Sequence, residues 1–390
     1  MEFDQIQSTL REKGLDGWLF YDHHHRDPIA YRVLKINPPM CTRRWYYLIP
    51  AEGDPSKLVH RVERRNLAAL PGRELRYSSW KEQHQGLKEI LEGKRRIAMQ
   101  YSPLNNIPYV GLVDAGTIEL VKSLGVEVVT SADLVQLFEA RWSEDALATH
   151  LEAGTVVHAA VRAGFAAIRD AVRSRTRISE YDVQQAMRRV FDAAGVVSDE
   201  GPVAAVNRNS ANPHYMPQRE DSHPIGASDF VLLDVWGKMN KPGAVYFDIT
   251  WTGFVGVEVP RGYAEIFEIV EEARDGAVDF VEAAMKTGQT IHGYEVDDVA
   301  REIITRRGYG PYFVHRTGHS IGEDVHGNGA NIDDFETRDT RQIIPGICFS
   351  IEPGIYLEEF GVRSEVNVFV EESSARVTGE IQQAIVPILS

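Results

Sequence analysis

Residues 315–326 read HRTGHSIGEDVH, and this histidine-rich segment decides more about the fold than any other stretch of the chain. His315, His319 and His326 stand in one turn region that two glycines interrupt. Glycine lets the backbone pass close to a site, and imidazole is a common ligand of borderline divalent metals. A single loop histidine is usually structural, but three at this spacing favour a metal site over a purely structural loop.

Upstream, residues 231–256 predict a β-hairpin with one carboxylate on each arm. The strand-like segment 231–236 carries Asp234, a turn with Asn, Pro and Gly follows, and the second strand-like segment, 244–253, carries Asp248. In the right register the two carboxylates lie side by side on one face of the sheet. The alternative is a pair of aspartates on a solvated face.

Downstream, residues 347–370 predict another pair of strands with two more carboxylates. The first strand ends at Glu352, where Pro-Gly follows, and the second is predicted to run without a break from Gly361 to Val370. Valines alternate through the second strand, so Glu365 faces away from the valine layer. The alternative is an outer polar face.

Together these segments supply four carboxylates and one imidazole: Asp234, Asp248, His319, Glu352 and Glu365. If the groups converge, the carboxylates repel one another and raise one another's pKa values. A pair of divalent cations removes that repulsion. Oxygen-rich ligation with one nitrogen suits Mn²⁺, Co²⁺ or Zn²⁺ in a two-metal site.

The order Asp, Asp, His, Glu, Glu resembles the pita-bread metallopeptidases of the creatinase/prolidase type, which include methionine aminopeptidase, Xaa-Pro aminopeptidase and Xaa-Pro dipeptidase (prolidase). The segments that carry the resemblance are 247–250 (FDIT), 315–326, 351–356 (IEPGIY) and 361–365 (GVRSE). The resemblance implies an α/β N-terminal domain over residues 1–142. It also implies an α+β pita-bread, creatinase/aminopeptidase-like catalytic domain over residues 143–390.

The resemblance further implies two divalent metal ions per subunit. Asp248 and Glu365 would bridge the ions, Asp234 would bind one, and His319 and Glu352 would bind the other. A hydroxide between the metals would be the nucleophile. Glu352 would carry the proton of the attacking water to the leaving amine, which must be protonated to depart.

Four further side chains match active-site positions of the family. His214 and His326 would stabilise the oxyanion and orient the substrate. Arg338 and Arg363 would bind the C-terminal carboxylate of a dipeptide, since a guanidinium binds a carboxylate through two parallel hydrogen bonds. The alternative for each arginine is a surface pair with a nearby acid such as Asp334.

Hydrolysis of Xaa-Pro dipeptides is therefore the activity that we expect. One alternative is an Xaa-Pro aminopeptidase that acts on longer peptides. Less favoured alternatives are a hydrolase of a non-peptide amide or amidine, and a non-catalytic binding protein on the same fold. Relatives of those two kinds lack the metal ligands, whereas this chain carries all five.

Composition limits the expected partners and the expected location of the protein. The chain has 390 residues, enough for two domains, and its formal net charge of −15 argues against nucleic acid as a partner. Its two cysteines form no disulfide framework, and no apolar run approaches a membrane span. Without a secretory signal pattern at the start, we expect a cytoplasmic protein. Short proline-containing peptides are the expected partners, and related enzymes suggest a homodimer.

The first third of the chain alternates strand-like and helix-like segments, which predicts a covered α/β sheet. The strands are predicted at 17–21, 45–49, 96–100 and 126–129, and the helices at 79–93, 115–124 and 131–142.

Three features depart from the family pattern or stand outside it. Trp236 and Trp251 follow the two hairpin aspartates, where they either narrow the pocket or pack in an apolar layer. Residues 22–27, DHHHRD, form either an additional functional loop or a polar turn after a strand.

Overall fold

The computed structural model describes residues 3–38 and 40–390, and the chain divides into two compact units after Ala140. The sequence places this boundary two residues later, between 142 and 143. Each unit has its own sheets and hydrophobic cores.

The N-terminal unit contains one six-stranded mixed sheet in the order β4-β3-β2-β1-β5-β6. Its strands are β1 Gly17–Asp22, β2 Trp45–Pro50, β3 Ser56–His60, β4 Arg73–Tyr77, β5 Arg96–Met99 and β6 Glu127–Thr130. Its helices are α1 Phe3–Glu12, α2 Pro28–Leu34, α3 Trp80–Ile90, α4 Ala115–Ser123 and α5 Ala132–Val135. Alternate residues of β1 enter separate apolar clusters on the two faces, Trp18 in one and Leu19 in the other. The sheet is therefore covered on both sides, as an α/β arrangement requires.

One predicted helix of this unit is wrong in kind. Instead of a single helix over 131–142, the four-residue α5 runs directly into a π-helix, Gln136–Ala140. Ser131 precedes α5, but its side chain makes no capping hydrogen bond; the hydroxyl of Thr130 accepts from the Ala132 N–H at 3.2 Å instead. The other predicted strands and helices begin within one residue of the observed ones.

The loop that follows β1 folds around a single carboxylate. The backbone N–H groups of His25, Arg26 and Asp27 all donate to Asp22, at 3.0, 2.7 and 3.0 Å. His24 and His25 both take left-handed backbone conformations, with φ of 66° and 54°. Within the described part of the chain, segment 22–27 is therefore a tight polar turn after a strand.

The C-terminal unit consists of helix pairs packed on sheets whose strands are antiparallel except for the pair of β10 and β17. Its helices are α6 Glu144–Ser174, α7 Glu180–Ala194, α8 Arg261–Thr287 and α9 Gly293–Arg306. Ser143 caps α6 through a hydrogen bond from the Ala146 N–H, and Ser179 forms a capping box with Asp182 on α7.

Eleven strands of the C-terminal unit form three sheets. The strands are β7 Val196–Val197, β8 Val203–Val206, β9 Phe230–Met239, β10 Phe247–Phe254, β11 Ser320–Ile321, β12 Cys348–Ile351, β13 Gly354–Tyr356, β14 Gly361–Arg363, β15 Val366–Val370, β16 Ala375–Thr378 and β17 Val386–Pro387. The first sheet runs β17-β10-β9-β7 with β8 also on β9, the second runs β11-β12-β15-β16, and β13 pairs with β14. Helices α6 and α7 share an apolar cluster with β9 and β10, and α8 and α9 share one with β12 and β15.

Helix α6 is long and apolar enough, by length and composition alone, to cross a membrane. Sequence reasoning expected no such stretch. Half of its most apolar window is buried inside the protein, where Ala153, Val157 and Val161 join the cluster on β9 and β10. A core helix of this kind meets the same criterion as a spanning helix, so the helix is explained by its packing.

Candidate metal centre and active site

The hairpin of β9 and β10 presents both predicted aspartates on one face. Asp234 lies opposite Thr250, and Asp248 lies opposite Trp236. The four positions share one parity of the strand pair, so their side chains project to the same side. The two carboxylates are diagonal neighbours rather than direct cross-strand partners, a spacing that leaves room between them.

The two glutamates lie at breaks between short strands. Glu352 follows β12, and Glu365 lies between β14 and β15. The continuous strand predicted over 361–370 is therefore wrong: it breaks at 364–365, where the N–H of Glu365 donates to the carbonyl of Thr250 at 3.4 Å. The predicted valine layer is present, because Val362 and Val366 on either side of the break both enter the apolar core.

The third segment brings in His319 at the start of β11. A Cβ atom at Gly318 would lie 1.9 Å from the carbonyl oxygen of Ser350, so only glycine permits this approach. The His319 N–H donates to Ser350 Oγ at 3.0 Å, and its ring Nδ1 lies 3.1 Å from the Ser320 carbonyl. A carbonyl only accepts, so Nδ1 carries a proton and Nε2 is left to face the carboxylates.

The Nε2 atom of His319 points at the carboxylates. His319 Nε2 lies 3.6 Å from Asp248 Oδ2 and 3.4 Å from Glu352 Oε1. One ligand atom from each of Asp248, His319 and Glu365 lies within 4.8 Å of the others. Arg363 connects the remaining carboxylates, because it pairs with Asp234 and lies 3.8 Å from Glu352. The structure thus brings the five predicted ligand residues into one cluster.

Burial sets the electrostatics of this cluster. Burial raises the pKa of Asp234 to about 7, although Arg363 opposes the shift. Burial also raises the pKa of Asp248, and it raises that of Glu365 strongly, with the neighbouring carboxylates adding to the effect. Glu352 differs, because His319 and Arg363 outweigh its burial and hold its pKa below the ordinary value. Glu352 is thus the carboxylate of the cluster that is most readily ionised.

The cluster contains acceptor oxygens that a cation could satisfy and that the neighbouring side chains do not. Asp248 Oδ1 and Glu365 Oε1 are buried and have no hydrogen-bond donor among the described residues. A buried carboxylate oxygen without a donor is costly unless a cation supplies the missing interaction. Carboxylate oxygens with one imidazole nitrogen are a donor set for borderline divalent metals. The residues present therefore fit a divalent-metal centre.

Arg363 faces an internal carboxylate. Its guanidinium donates to Asp234, to Thr250 Oγ1 at 2.9 Å and to the Tyr356 hydroxyl at 3.3 Å. His315 Nδ1 donates to the Arg316 carbonyl at 2.6 Å, so its Nε2 accepts from Tyr356 at 2.8 Å. The predicted contact of Arg363 with a substrate carboxylate therefore competes with an internal partner, because the fork is already engaged within the cluster.

Arg338 lies in an exposed setting. Its Nε is 3.7 Å from an oxygen of Asp334, and its guanidinium lies 4.3 Å from the centre of the Tyr294 ring. This is the surface arrangement that the sequence left open as the alternative for this residue. Its side chain is 61% exposed, so an anion in solution can reach it.

The two predicted active-site histidines are both exposed. The ring of His326 meets that of His319 edge-on, with ring centres 4.4 Å apart. The charge of His319 is the main cause that lowers the pKa of His326 to about 3, and His214 contributes to the same shift. His326 is therefore neutral at pH 7, and His214 lies close enough to act on it.

Sequence reasoning missed three side chains that hold the cluster in place. Thr250 Oγ1 donates to Glu365 Oε2 at 2.8 Å. Asn367 accepts from the Asp248 N–H at 3.1 Å through its side-chain oxygen and donates to the Asp248 carbonyl. Ser350 Oγ lies 3.1 Å from Glu352 Oε1. Each lies two residues from a predicted ligand on the same strand parity, a signal that would have found them.

The two tryptophans lie on opposite faces of the hairpin. Trp236 shares the parity of the aspartates, and its ring fills the space in front of Gly201. Trp251 has the other parity and packs with the α6 and α7 cluster, 6.0 Å from the ring of His158. Trp251 therefore packs in an apolar layer, while Trp236 borders the face that carries the carboxylates.

Comparison with known proteins agrees with this geometry. Residues 148–372 match metallopeptidase family M24. An Xaa-Pro dipeptidase from Lactobacillus delbrueckii subsp. lactis is 35% identical over 235 residues, which are 59% of this chain and 56% of that protein. The matched region thus spans little more than half the length of that relative.

Solved structures extend the likeness to nearly the whole chain. Dipeptidase PepE from Mycobacterium ulcerans aligns with a TM-score of 0.74 and 22% identity over 99% of this chain and 96% of that one. A prolidase from Thermococcus sibiricus aligns with a TM-score of 0.67 and 23% identity over 99% and 98% of the two chains. These alignments confirm the predicted pita-bread fold with an α/β N-terminal part. The match covers more than half of the sequence, and the chain belongs to metallopeptidase family M24.

Proposed function

We propose that this protein hydrolyses Xaa-Pro dipeptides with two divalent metal ions, Mn²⁺, Co²⁺ or Zn²⁺, per subunit. The observation that carries the proposal is the pair of buried carboxylate oxygens, Asp248 Oδ1 and Glu365 Oε1, for which the described residues offer no donor. Asp234, Asp248, His319, Glu352 and Glu365 would hold the ions. Bound there, divalent ions supply Lewis acidity that polarises a carbonyl oxygen and acidifies water.

The protein's own groups have separate tasks in this reaction. Glu352, whose pKa is held low by His319 and Arg363, accepts a proton from the attacking water at its carboxylate. It then delivers the proton to the proline nitrogen, because a secondary amine leaves readily only when protonated. Since Ser350 Oγ lies 3.1 Å from Glu352 Oε1, it fixes the orientation of that carboxylate.

The exposed histidines complete the proposed site. Neutral His326 can donate one hydrogen bond to the oxygen on which charge develops, and His214 faces the same region. Arg363 pairs with Asp234 and opposes the rise in its pKa, while Arg338, with most of its side chain exposed, is the candidate for the substrate's C-terminal carboxylate.

The choice of substrate rests on the names of relatives, among which Xaa-Pro dipeptidases recur. A second candidate is an Xaa-Pro aminopeptidase, since a structure with that name from Thermotoga maritima shares the fold. A homodimer in the cytoplasm, without nucleic-acid or membrane partners, is part of the same proposal.

The test is a substrate panel on protein stripped of metal with a chelator and then supplied with Mn²⁺, Co²⁺ or Zn²⁺. We expect Ala-Pro to be cleaved with a kcat/KM at least about 10-fold above that of Ala-Ala, Ala-Pro amide and Ala-Pro-Ala, a difference of ~1.4 kcal/mol. The amide is the matched control, because it lacks only the terminal carboxylate.

Other outcomes identify what is wrong. Preference for Ala-Pro-Ala would favour the aminopeptidase, and equal cleavage of Ala-Ala would remove the proline assignment. Full activity in chelator-treated protein would overturn the metal-dependent mechanism. Absence of cleavage with every metal, although metal binds, would favour a binding protein on this fold.

A further inference from the structure

A buried glutamate outside the cluster organises the loop that carries His214. Glu180 is the first residue of α7 and has no exposed surface. Its carboxylate accepts from the Val206 N–H at 2.7 Å, from Asn209 Nδ2 at 2.9 Å, from the Tyr215 hydroxyl at 2.5 Å and from the His223 N–H at 2.9 Å. All four donors lie in or beside residues 207–223, which we call the His214 loop.

The two ends of the His214 loop are held differently. Its beginning is fixed to neighbouring strands: Asn207 accepts from the Phe230 N–H at 2.9 Å, and Ser210 Oγ accepts from the Gly361 N–H at 3.0 Å. Apart from the 3₁₀ turn Asn207–Ala211, the loop has no helix or strand in the described structure. The backbone therefore needs other partners to hold its later part.

Those partners lie on the first turns of α7. Between residues 212 and 223, the described hydrogen bonds to the rest of the unit run mainly to the carboxylate of Glu180. The others are from the Glu180 N–H to the His223 carbonyl at 3.1 Å, from the Tyr181 N–H to Ser222 Oγ at 2.7 Å, and weakly from Gln184 to Met216. The hydroxyl of Tyr215, directly after His214, donates to the Glu180 carboxylate. The carboxylate therefore fixes the backbone on which His214 stands.

We propose that Glu180 is a positioning residue that sets the place of His214 beside the carboxylate cluster. The inference rests on the proposed function only for its catalytic consequence. The Glu180 carboxylate accepts hydrogen bonds from four neutral donors of the chain, so we infer that its role is to hold the loop. Because a displacement of about 1 Å at a reacting group can cost about 100-fold in rate, looseness in this loop affects hydrolysis without altering the metal ligands.

The decisive variant is Glu180→Gln, which keeps the size of the side chain but turns one acceptor into a donor. Whichever oxygen the amide nitrogen replaces, it faces a backbone N–H, of Val206 or of His223, so at least one loop anchor is lost. We expect amide hydrogen exchange in residues 212–223 to accelerate at least about 10-fold while exchange in α6 and β9 is unchanged. Bound metal per subunit should equal that of the wild type.

Activity supplies a coupling test. We expect kcat/KM for Ala-Pro to fall about 10- to 100-fold in Glu180→Gln and in His214→Ala. The kcat/KM of the double variant should be little lower than that of the less active single variant. If the two losses multiply instead, Glu180 does not act through His214 and the proposal is overturned. Uniformly faster exchange across the protein would equally overturn it, since that result indicates only general destabilisation.

Two further variants keep the test falsifiable. Asp182→Ala removes the capping box two residues along the same helix, where the Asp182 carboxylate accepts from the N–H and the hydroxyl of Ser179, and it should leave the loop and activity unchanged. Tyr215→Phe removes one anchor and leaves Glu180 in place, so it decides the matter if Glu180→Gln does not fold. A wild type that cleaves no Xaa-Pro bond overturns the proposed function, whereas slow exchange of the loop in Glu180→Gln overturns the anchoring.

Discussion

Two groups of buried carboxylates in the C-terminal unit differ in what satisfies them. Glu180, Asp297 and Asp339 anchor loops, and each accepts hydrogen bonds from the chain itself; Asp297, for example, takes both Arg301 and the Thr317 N–H. In the cluster, Asp248 Oδ1 and Glu365 Oε1 find no donor among the described residues. The hydrogen-bonding capacity of the first group is met by the folded chain, whereas the buried oxygens of the second group need a cation or another added partner.

The difference shows that burial of an acid does not by itself mark a functional site. Asp297 and Glu180 have no exposed surface and are as buried as any ligand of the cluster. What separates the two groups is the partner: hydrogen-bond donors in the first, other carboxylates in the second. We therefore expect substitutions in the two groups to change the free energy of unfolding in opposite directions.

The largest expected effect is in the anchoring group. Asp297→Ala removes the carboxylate that receives two nitrogens of Arg301, at 2.8 and 2.9 Å, and the Thr317 N–H at 2.8 Å. Arg301 would keep its charge in a largely buried place without its acid. We expect the free energy of unfolding, measured by urea titration, to fall by about 3–4 kcal/mol.

The neighbouring residue provides the control. Asp298 is exposed, and Asp298→Ala should change the free energy of unfolding by less than about 0.5 kcal/mol. Equal losses in the two variants would mean that the Asp297 bonds contribute little, and the contrast between the two groups of carboxylates would disappear.

The strand pairs of the C-terminal unit could be predicted because their apolar patterns are regular. The valine alternation marks the strand of the second sheet. The break at 364–365 left no trace, because its two residues preserve the strand parity of Val362 and Val366. The short strands β3 and β4 and the π-helix that follows α5 had no distinguishing periodicity.

The candidate site could be predicted in residue type but not in arrangement. The five ligand residues follow from the resemblance and from carboxylates on paired strands. The residues that support the ligands could have been found from their spacing, but their contacts could not, since Thr250 and Glu365 lie 115 residues apart, and Asn367 and Asp248 lie 119 apart. Glu180 was missed because an acidic residue in the first turn of a helix is usually interpreted as a favourable charge at the helix N-terminus and not as the anchor of a loop.

The buried histidine His150 makes the stability of the C-terminal unit depend on pH. His150 has no exposed surface; its Nδ1 donates to the Tyr246 carbonyl at 2.6 Å, and its Nε2 lies 2.7 Å from the Thr378 hydroxyl. Its neutral form is therefore complete, and burial lowers its pKa from the ordinary 6.5 to about 4. Between these values the unfolded chain takes up a proton and the folded chain does not. Stability is thus present above pH 6.5 and is lost as the pH falls toward 4, by up to about 3 kcal/mol.

Urea titrations at several pH values measure this loss. His150→Gln has no titrating ring, so its free energy of unfolding should fall by about 3 kcal/mol less than that of the wild type over the same range. His25→Gln is the control, because His25 is exposed, and it should follow the wild type. An unchanged pH profile in His150→Gln would show that His150 is not held neutral by its partners.

The smallest expected effect has the opposite sign and separates the two groups most sharply. Glu365→Gln removes one of four neighbouring carboxyl groups that disfavour one another's ionisation, keeps the side chain that accepts from Thr250 Oγ1, and places an N–H donor among acceptor oxygens. In metal-free protein we therefore expect the free energy of unfolding to rise by about 1–2 kcal/mol. Added Mn²⁺ should stabilise the wild type more than the variant, because the variant has lost one anionic ligand. A loss of stability in the metal-free variant, like that of Asp297→Ala, would mean that the cluster is held together by its own contacts and that its buried oxygens are not waiting for a cation.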